Sequence, residues 1–308
     1  MAKKDLRTKS IKERHSKVST ANLGSIPDLP TTVTAFIDKL PDVLAATDLK
    51  ALYRDILEAR NKGLGVVFGM GGHVIKTGVS PYLIELMKQG FIKAIAMNGA
   101  AMIHDFEMAY YGETSEDVEQ EIVRGDFGLA EETGFQLNSL IRQGYDRKEG
   151  LGETMTRAFQ DSSFRNKKIS ILSEAGRLGI PATIHVAVGT DIIHMHPDSD
   201  GAAIGQGSLL DFQRFCEFIA ALDQGGGYLN LGSAVILPEV FLKAISLARN
   251  KNAAYGHFFT ANFDFIRHYR PTQSVIYRPT LLGARSYSLI GHHEIMIPLL
   301  AVMLLEAI

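Results

Sequence analysis

The 308-residue chain contains no tryptophan and a single cysteine, Cys216. One thiol cannot close an intrachain disulfide, so the fold must hold without covalent staples and needs no oxidising compartment. Long hydrophobic runs are missing as well: the longest, residues 295–305, is broken by Pro298 and falls well short of the ~20 residues that cross a bilayer. The start of the chain lacks the apolar stretch of a secretory signal, so the cytoplasm is the expected location. Neither sign of charge is in excess, with 32 Lys and Arg against 34 Asp and Glu. No general attraction to nucleic acid or to an anionic membrane follows. Walker A, dinucleotide-fingerprint, Gly-x-Ser-x-Gly and HExxH spacings are all absent. Cys216 falls in an amphipathic stretch that reads as core, so neither a serine nor a cysteine nucleophile is supported.

What the chain does have is 46% hydrophobic residues, 29 glycines and enough length for a large core. Residues 1–20 are basic and poor in large apolar side chains, and read as an arm ahead of one α/β domain over residues 21–308. Apolar residues at helical spacing predict two helices over 33–61, broken near Pro41. Short continuous apolar runs then alternate with amphipathic ones. Strands are expected over 64–70, 91–97, 180–188, from 227 into a helix near Pro238, over 256–262, and near 274–277. Helices are expected from Ser80-Pro81 to about Gly90, after Asn98, from Thr114 on towards Gly179, over 209–222, and from His292 to the end. This alternation predicts a Rossmann-like, doubly wound, mostly parallel sheet.

In such sheets ligands lie beyond the carboxyl ends of the strands, which makes the loops there the candidates. Gly71, Gly72, Lys76 and Thr77 follow the first expected strand and Asn98, Gly99 and Ala100 the second. Small residues let backbone approach a ligand, although a merely tight structural turn would read the same. His104 and Asp105 come next, a pairing suited either to general-base work or to helix capping. Thr190 and Asp191 follow the third strand. His194, His196 and Asp198 come just after, and with His292, His293 and Glu294 offer enough donors for a divalent metal, or else ordinary polar contacts. Gly232 and Ser233, then Ala261 and Asn262, close the set.

Several of these blocks resemble deoxyhypusine synthases in order and spacing between residues 64 and 293. Gly72-His73-Val74-Ile75-Lys76-Thr77-Gly78, followed by a helix and Gly90-Phe91-Ile92, is similar to a segment lining that family's NAD site. Ala96 to Ala101, running through Asp105 to Tyr110-Tyr111-Gly112-Glu113, resembles the next block. Thr190-Asp191, Leu231-Gly232-Ser233-Ala234 and Thr260-Ala261-Asn262 resemble three more. The resemblance implies a Rossmann-like fold, NAD in the strand-end crevice, and a homotetramer with sites at subunit contacts. It does not carry the family's reaction across. Ser288-Leu289-Ile290-Gly291-His292 stands where those enzymes have the lysine that bears the aminobutyl group, and an imidazole cannot form an imine. Ile103 and His104 replace an acidic pair, and Pro238 and Glu239 fall where the catalytic histidine belongs. The expectation is an NAD-linked enzyme acting on a small amine or amino-acid-like substrate without a lysine imine. His104 or His292 would be its base, Glu239 a further catalytic candidate, and Asp105 and Asp191 would orient the ligand. A metal-assisted hydrolase built on His194 and His196 and a non-catalytic dinucleotide-binding protein are the alternatives.

Overall fold

The computed structural model describes residues 10, 13 and 17–308, so most of the expected basic arm lies outside the described residues. Helices α1 (Val33–Asp38) and α2 (Leu44–Asn61) precede β1 (Val66–Met70). Then come α3 (Gly72–Lys76), α4 (Ser80–Lys88), β2 (Ile92–Asn98) and α5 (Gly99–Tyr110). Four helices follow, α6 (Val118–Arg124), α7 (Glu131–Arg147), α8 (Leu151–Asp161) and α9 (Ile171–Leu178), ahead of β3 (Ala182–His185). The chain continues through α10 (Gly201–Ala220), β4 (Gly227–Leu231), α11 (Ile236–Lys251) and β5 (Phe259–Asp264). Short helices α12 (Tyr269–Pro271) and α13 (Arg278–Thr280) flank a π-helical segment, Thr272–Tyr277, and β6 (Arg285–Ile290) and α14 (His293–Leu305) end the chain.

All six strands pair in parallel in the order β3-β2-β1-β4-β5-β6. This is the doubly wound Rossmann order, and its direction reverses between β1 and β4. Strands buried on both faces read as unbroken apolar runs, which is why β1 was visible as Val66-Val67-Phe68. Phe68 and Met70 face one core with α2, α4 and α14, while Val67 and Tyr228 face the other with Phe215 of α10 and Phe241 of α11. Tyr228 and Phe241 stack with ring centroids 4.1 Å apart.

The structure departs from the expected strands at two points. Residues 274–277 lie in the π-helical segment, where Ser274 and Val275 pack inward. The sixth strand is β6, which as an edge strand is only partly buried and so shows a broken apolar pattern.

Candidate functional site

The loops after β1 and β4 meet at the reversal point. The Gly71 N–H donates to Leu231 O at 2.9 Å and the Gly232 N–H to Phe263 O at 3.0 Å. A Cβ on Gly71 would lie 2.2 Å from Gly232 O, and Gly232 itself sits at φ +62° with His293 Cε1 2.9 Å from where its Cβ would be. A Cβ on Gly72 would stand 3.0 Å from His104 Cδ2 and 3.1 Å from Ala100 Cβ, and one on Gly99 would stand 2.0 Å from Asp191 Oδ2. These glycines therefore bring the loops after β1, β2, β3 and β4 into contact with one another. On the outer side of the same rim Val235, Phe265 and Ile266 are exposed, and beneath it Asn230 Oδ1 and His293 Nδ1 are buried with no hydrogen-bond partner among the described residues.

Beside this point lies a cavity of 140 Å³ lined by Lys76, Ala100, His104, Glu107, Thr190 and Asp191, among others. Dry cavities of about this size hold a six-carbon ring. Five expected site residues are thus brought together: Lys76 on α3, Ala100 and His104 on α5, and Thr190 and Asp191 after β3. Asn98 makes the α5 wall possible, its Oδ1 accepting from the Ala101 N–H at 2.9 Å as N-cap.

His104 is fixed by a hydrogen-bond chain. Thr114 donates its only hydroxyl proton to Glu107 Oε2, so the 2.7 Å contact between His104 Nδ1 and Thr114 Oγ1 takes its proton from the imidazole. That puts the proton on Nδ1 and leaves Nε2 as the bare lone pair of the neutral ring. Thr133 Oγ1 donates to Glu107 Oε1 at 3.1 Å. Burial works against the Glu107 carboxylate, but the His104 imidazole 3.6 Å away and the hydroxyls of Thr114 and Thr133 outweigh it and hold Glu107 below the usual range. Asp191 lacks such support. Its Oδ2 has no partner among the described residues, and burial pushes its carboxyl up to about 6.

Of the candidate site residues, Thr114 is unmarked in the sequence, and Glu107 stands out there only as a carboxylate further along the helix of His104. Glu107 stands three residues beyond His104, one helical turn along the same face, and that spacing was a usable signal. Thr114 and Thr133 come from separate segments, and nothing local marked them.

Other candidates are placed elsewhere. Asp105 is fully buried and faces the start of α9, accepting from Ser170 Oγ at 2.6 Å, the Ile171 N–H at 2.8 Å and the Leu172 N–H at 3.0 Å. Its role here is to cap a helix. Glu239 is ion-paired with Arg270 and Lys243 on the outside of α11, which holds it below the usual carboxylate range. His292 is exposed, 3.8 Å from Glu294. Thr77 Oγ1 donates to Val74 O at 3.1 Å. Ser233 Oγ accepts from the Leu237 N–H at 3.2 Å at the head of α11, Ala261 is buried in β5, and Asn262 Oδ1 accepts from Asn230 Nδ2 at 2.7 Å.

The expected metal trio does not assemble. His194 Nδ1 accepts from the N–H groups of Gly189 and Asp191, His196 Nε2 bonds Gly128 O at 3.1 Å, and Asp198 lies 3.5 Å from Arg142. Among the described residues no three His, Cys, Asp or Glu side chains converge as metal ligands would, and no helix is long and apolar enough to cross a membrane.

No protein-family profile and no curated protein matches the chain. Solved structures do. A conserved candidate LOR/SDH protein from Methanococcus maripaludis S2 superposes with a TM-score of 0.54 at 16% identity, over 92% of this chain and 74% of that one. AgrE, in its ternary complex with ornithine and NAD+, gives 0.53 at 14% identity over 84% of this chain. This chain spans only 33% of AgrE. A candidate deoxyhypusine synthase from Entamoeba histolytica gives 0.52 at 10% identity, over 92% of this chain and 96% of that one. At these identities the likeness is one of architecture: the chain has the Rossmann-like α/β fold of these proteins.

Proposed function

We propose that the chain is an NAD-linked enzyme on a deoxyhypusine-synthase-like scaffold, oxidising a small amine or amino-acid-like substrate without a lysine imine. The observation that carries this reading is the His104–Thr114–Glu107 chain, which leaves a bare nitrogen on an imidazole that lines a small cavity beside the reversal point of the sheet. The likeness to AgrE, whose structure holds ornithine and NAD+, supports it.

The residues at the reversal point fit a dinucleotide. Backbone at Gly71–Gly72 and Gly232 and the ledge of Val235, Phe265 and Ile266 would hold it, over the two unpartnered buried atoms of Asn230 and His293. NAD, when bound, supplies a hydride acceptor. The protein's part is to prepare the amine. An ammonium must shed a proton before its carbon can give up hydride, and His104 Nε2 is the acceptor of that proton. Glu107, working through Thr114, stabilises the imidazolium that results. Asp191, ionised above about pH 6, attracts the ammonium and fixes its nitrogen. Assembly into a homotetramer belongs to the same proposal, and the exposed Val118, Ile122 and Val123 of α6 are a surface that assembly would cover.

The test is the melting temperature with and without NAD, since a ligand that binds only the native state stabilises it by about 2.7 kcal/mol at a hundredfold excess over Kd. NAD is expected to raise it, and His104→Gln is expected to keep that shift while losing amine-dependent reduction of NAD. No shift at millimolar NAD would sink the reading; a shift without turnover of any amine would leave a dinucleotide-binding protein.

A further inference from the structure

The sequence leaves His194 open to a metal ion or to ordinary polar contacts, and the structure gives it the latter. Its Nδ1 accepts two backbone hydrogen bonds, from the Gly189 N–H at 3.1 Å and the Asp191 N–H at 3.2 Å. An imidazole nitrogen that accepts carries no proton, so the neutral ring must carry it on Nε2. Burial holds the ring below its ordinary range and keeps it neutral. The Nε2–H faces Asp191 Oδ2 at 4.0 Å, and both side chains are only 5% exposed. Neither atom has a partner among the described residues. A buried donor and a buried acceptor, each unsatisfied and facing the other beyond hydrogen-bond reach, would each carry a penalty of about 1–3 kcal/mol if left so. An approach of about 1 Å, which brings the pair to hydrogen-bond distance, would satisfy both together.

We propose that His194 is a positioning residue for Asp191: its imidazole, locked with the proton on Nε2, presents an N–H to Asp191 Oδ2 across a gap that a small movement of the two side chains closes into a direct hydrogen bond. The 189–194 turn and the tautomer are set by the same two hydrogen bonds, so the loop after β3 cannot hold its shape without aiming the donor at the carboxylate. The other charged or titratable groups sharing the cavity with Asp191 are Lys76 from α3, His104 and Glu107 from α5, and Glu116 from the loop before α6. None of them is within the His194–Asp191 contact itself.

This inference rests on reading Asp191 as a group of the site, but its test needs neither NAD nor substrate. Labelling aspartate at Cγ with carbon-13, and assigning the Asp191 signal by its loss in Asp191→Asn, follows the titration of that carboxyl in the protein alone. His194→Asn keeps an acceptor for the Gly189 and Asp191 N–H groups and removes the Nε2 donor. It is expected to raise the Asp191 midpoint by about one pH unit, a tenfold change in proton affinity. His194→Gln, which returns an N–H near the Nε2 position, should recover most of that shift; a purely structural role for His194 predicts no such recovery. In the wild-type protein, two-bond nitrogen-15 spectra should show His194 protonated on Nε2 and bare on Nδ1. An Asp191 midpoint unchanged in His194→Asn, or a His194 protonated on Nδ1, overturns the proposal. Failure of NAD to raise the melting temperature would instead sink the function proposed above and leave this pair standing.

Discussion

Replacing Asp105 by alanine separates the two roles that the sequence allowed for this residue. In the structure its carboxylate receives the Ser170 hydroxyl and the N–H groups of Ile171 and Leu172 at 2.6, 2.8 and 3.0 Å, all in the interior. The hydroxyl can rotate towards another acceptor, whereas the two N–H groups are fixed by the first turn of α9. Two fixed, buried, unsatisfied donors cost about 1–3 kcal/mol each, so Asp105→Ala should lose about 2–6 kcal/mol of stability. Urea unfolding followed by circular dichroism reads this directly, provided the slope against denaturant is unchanged. His104→Ala provides the contrast. It removes one hydrogen bond to a half-buried side chain and should cost about 0.5–1.5 kcal/mol, while abolishing the chemistry. If Asp105→Ala instead stays within about 1 kcal/mol of wild type and loses ligand binding, the capping argument is wrong and Asp105 belongs to the site.

Further outcomes follow from the same geometry. Gly99→Ala places a methyl 2.0 Å from Asp191 Oδ2; such overpacking costs about 1–3 kcal/mol, so the melting temperature should fall by several degrees and the displaced Asp191 should titrate nearer the ordinary carboxylate range. Asp211 is buried beneath α8 and β3, accepting from the Gly152 and Ile184 N–H groups at 2.7 Å, and burial pushes it up to about 7. A carboxyl raised in the folded state holds its proton longer than in the unfolded chain, so the stability it confers is full below about pH 4 and is lost as the pH rises towards 7. His185, pulled down to about 3 by burial, acts in the opposite sense, so the decisive quantity is a difference between proteins. Asp211→Asn should gain stability relative to wild type between pH 4 and 7, and urea midpoints that run parallel across that range would refute the assignment.

The strand runs around Val66-Val67-Phe68, the capped start of α5 at Asn98 and the glycine turns were written locally, because burial on both faces and the demands of a tight turn act residue by residue. They were enough to define a parallel α/β sheet and to place Lys76, Ala100, His104, Thr190 and Asp191 on one rim. The sequence could not separate His104 from Asp105, since neighbours on a helix point about 100° apart and only the packing of α9 against α5 shows which one is consumed as a cap. Nor could it join His104 to Glu107 through Thr114, or bring Thr133 onto Glu107. Those contacts join residues distant in the chain, and their energies exist only once the sheet and its helices have brought the loops together.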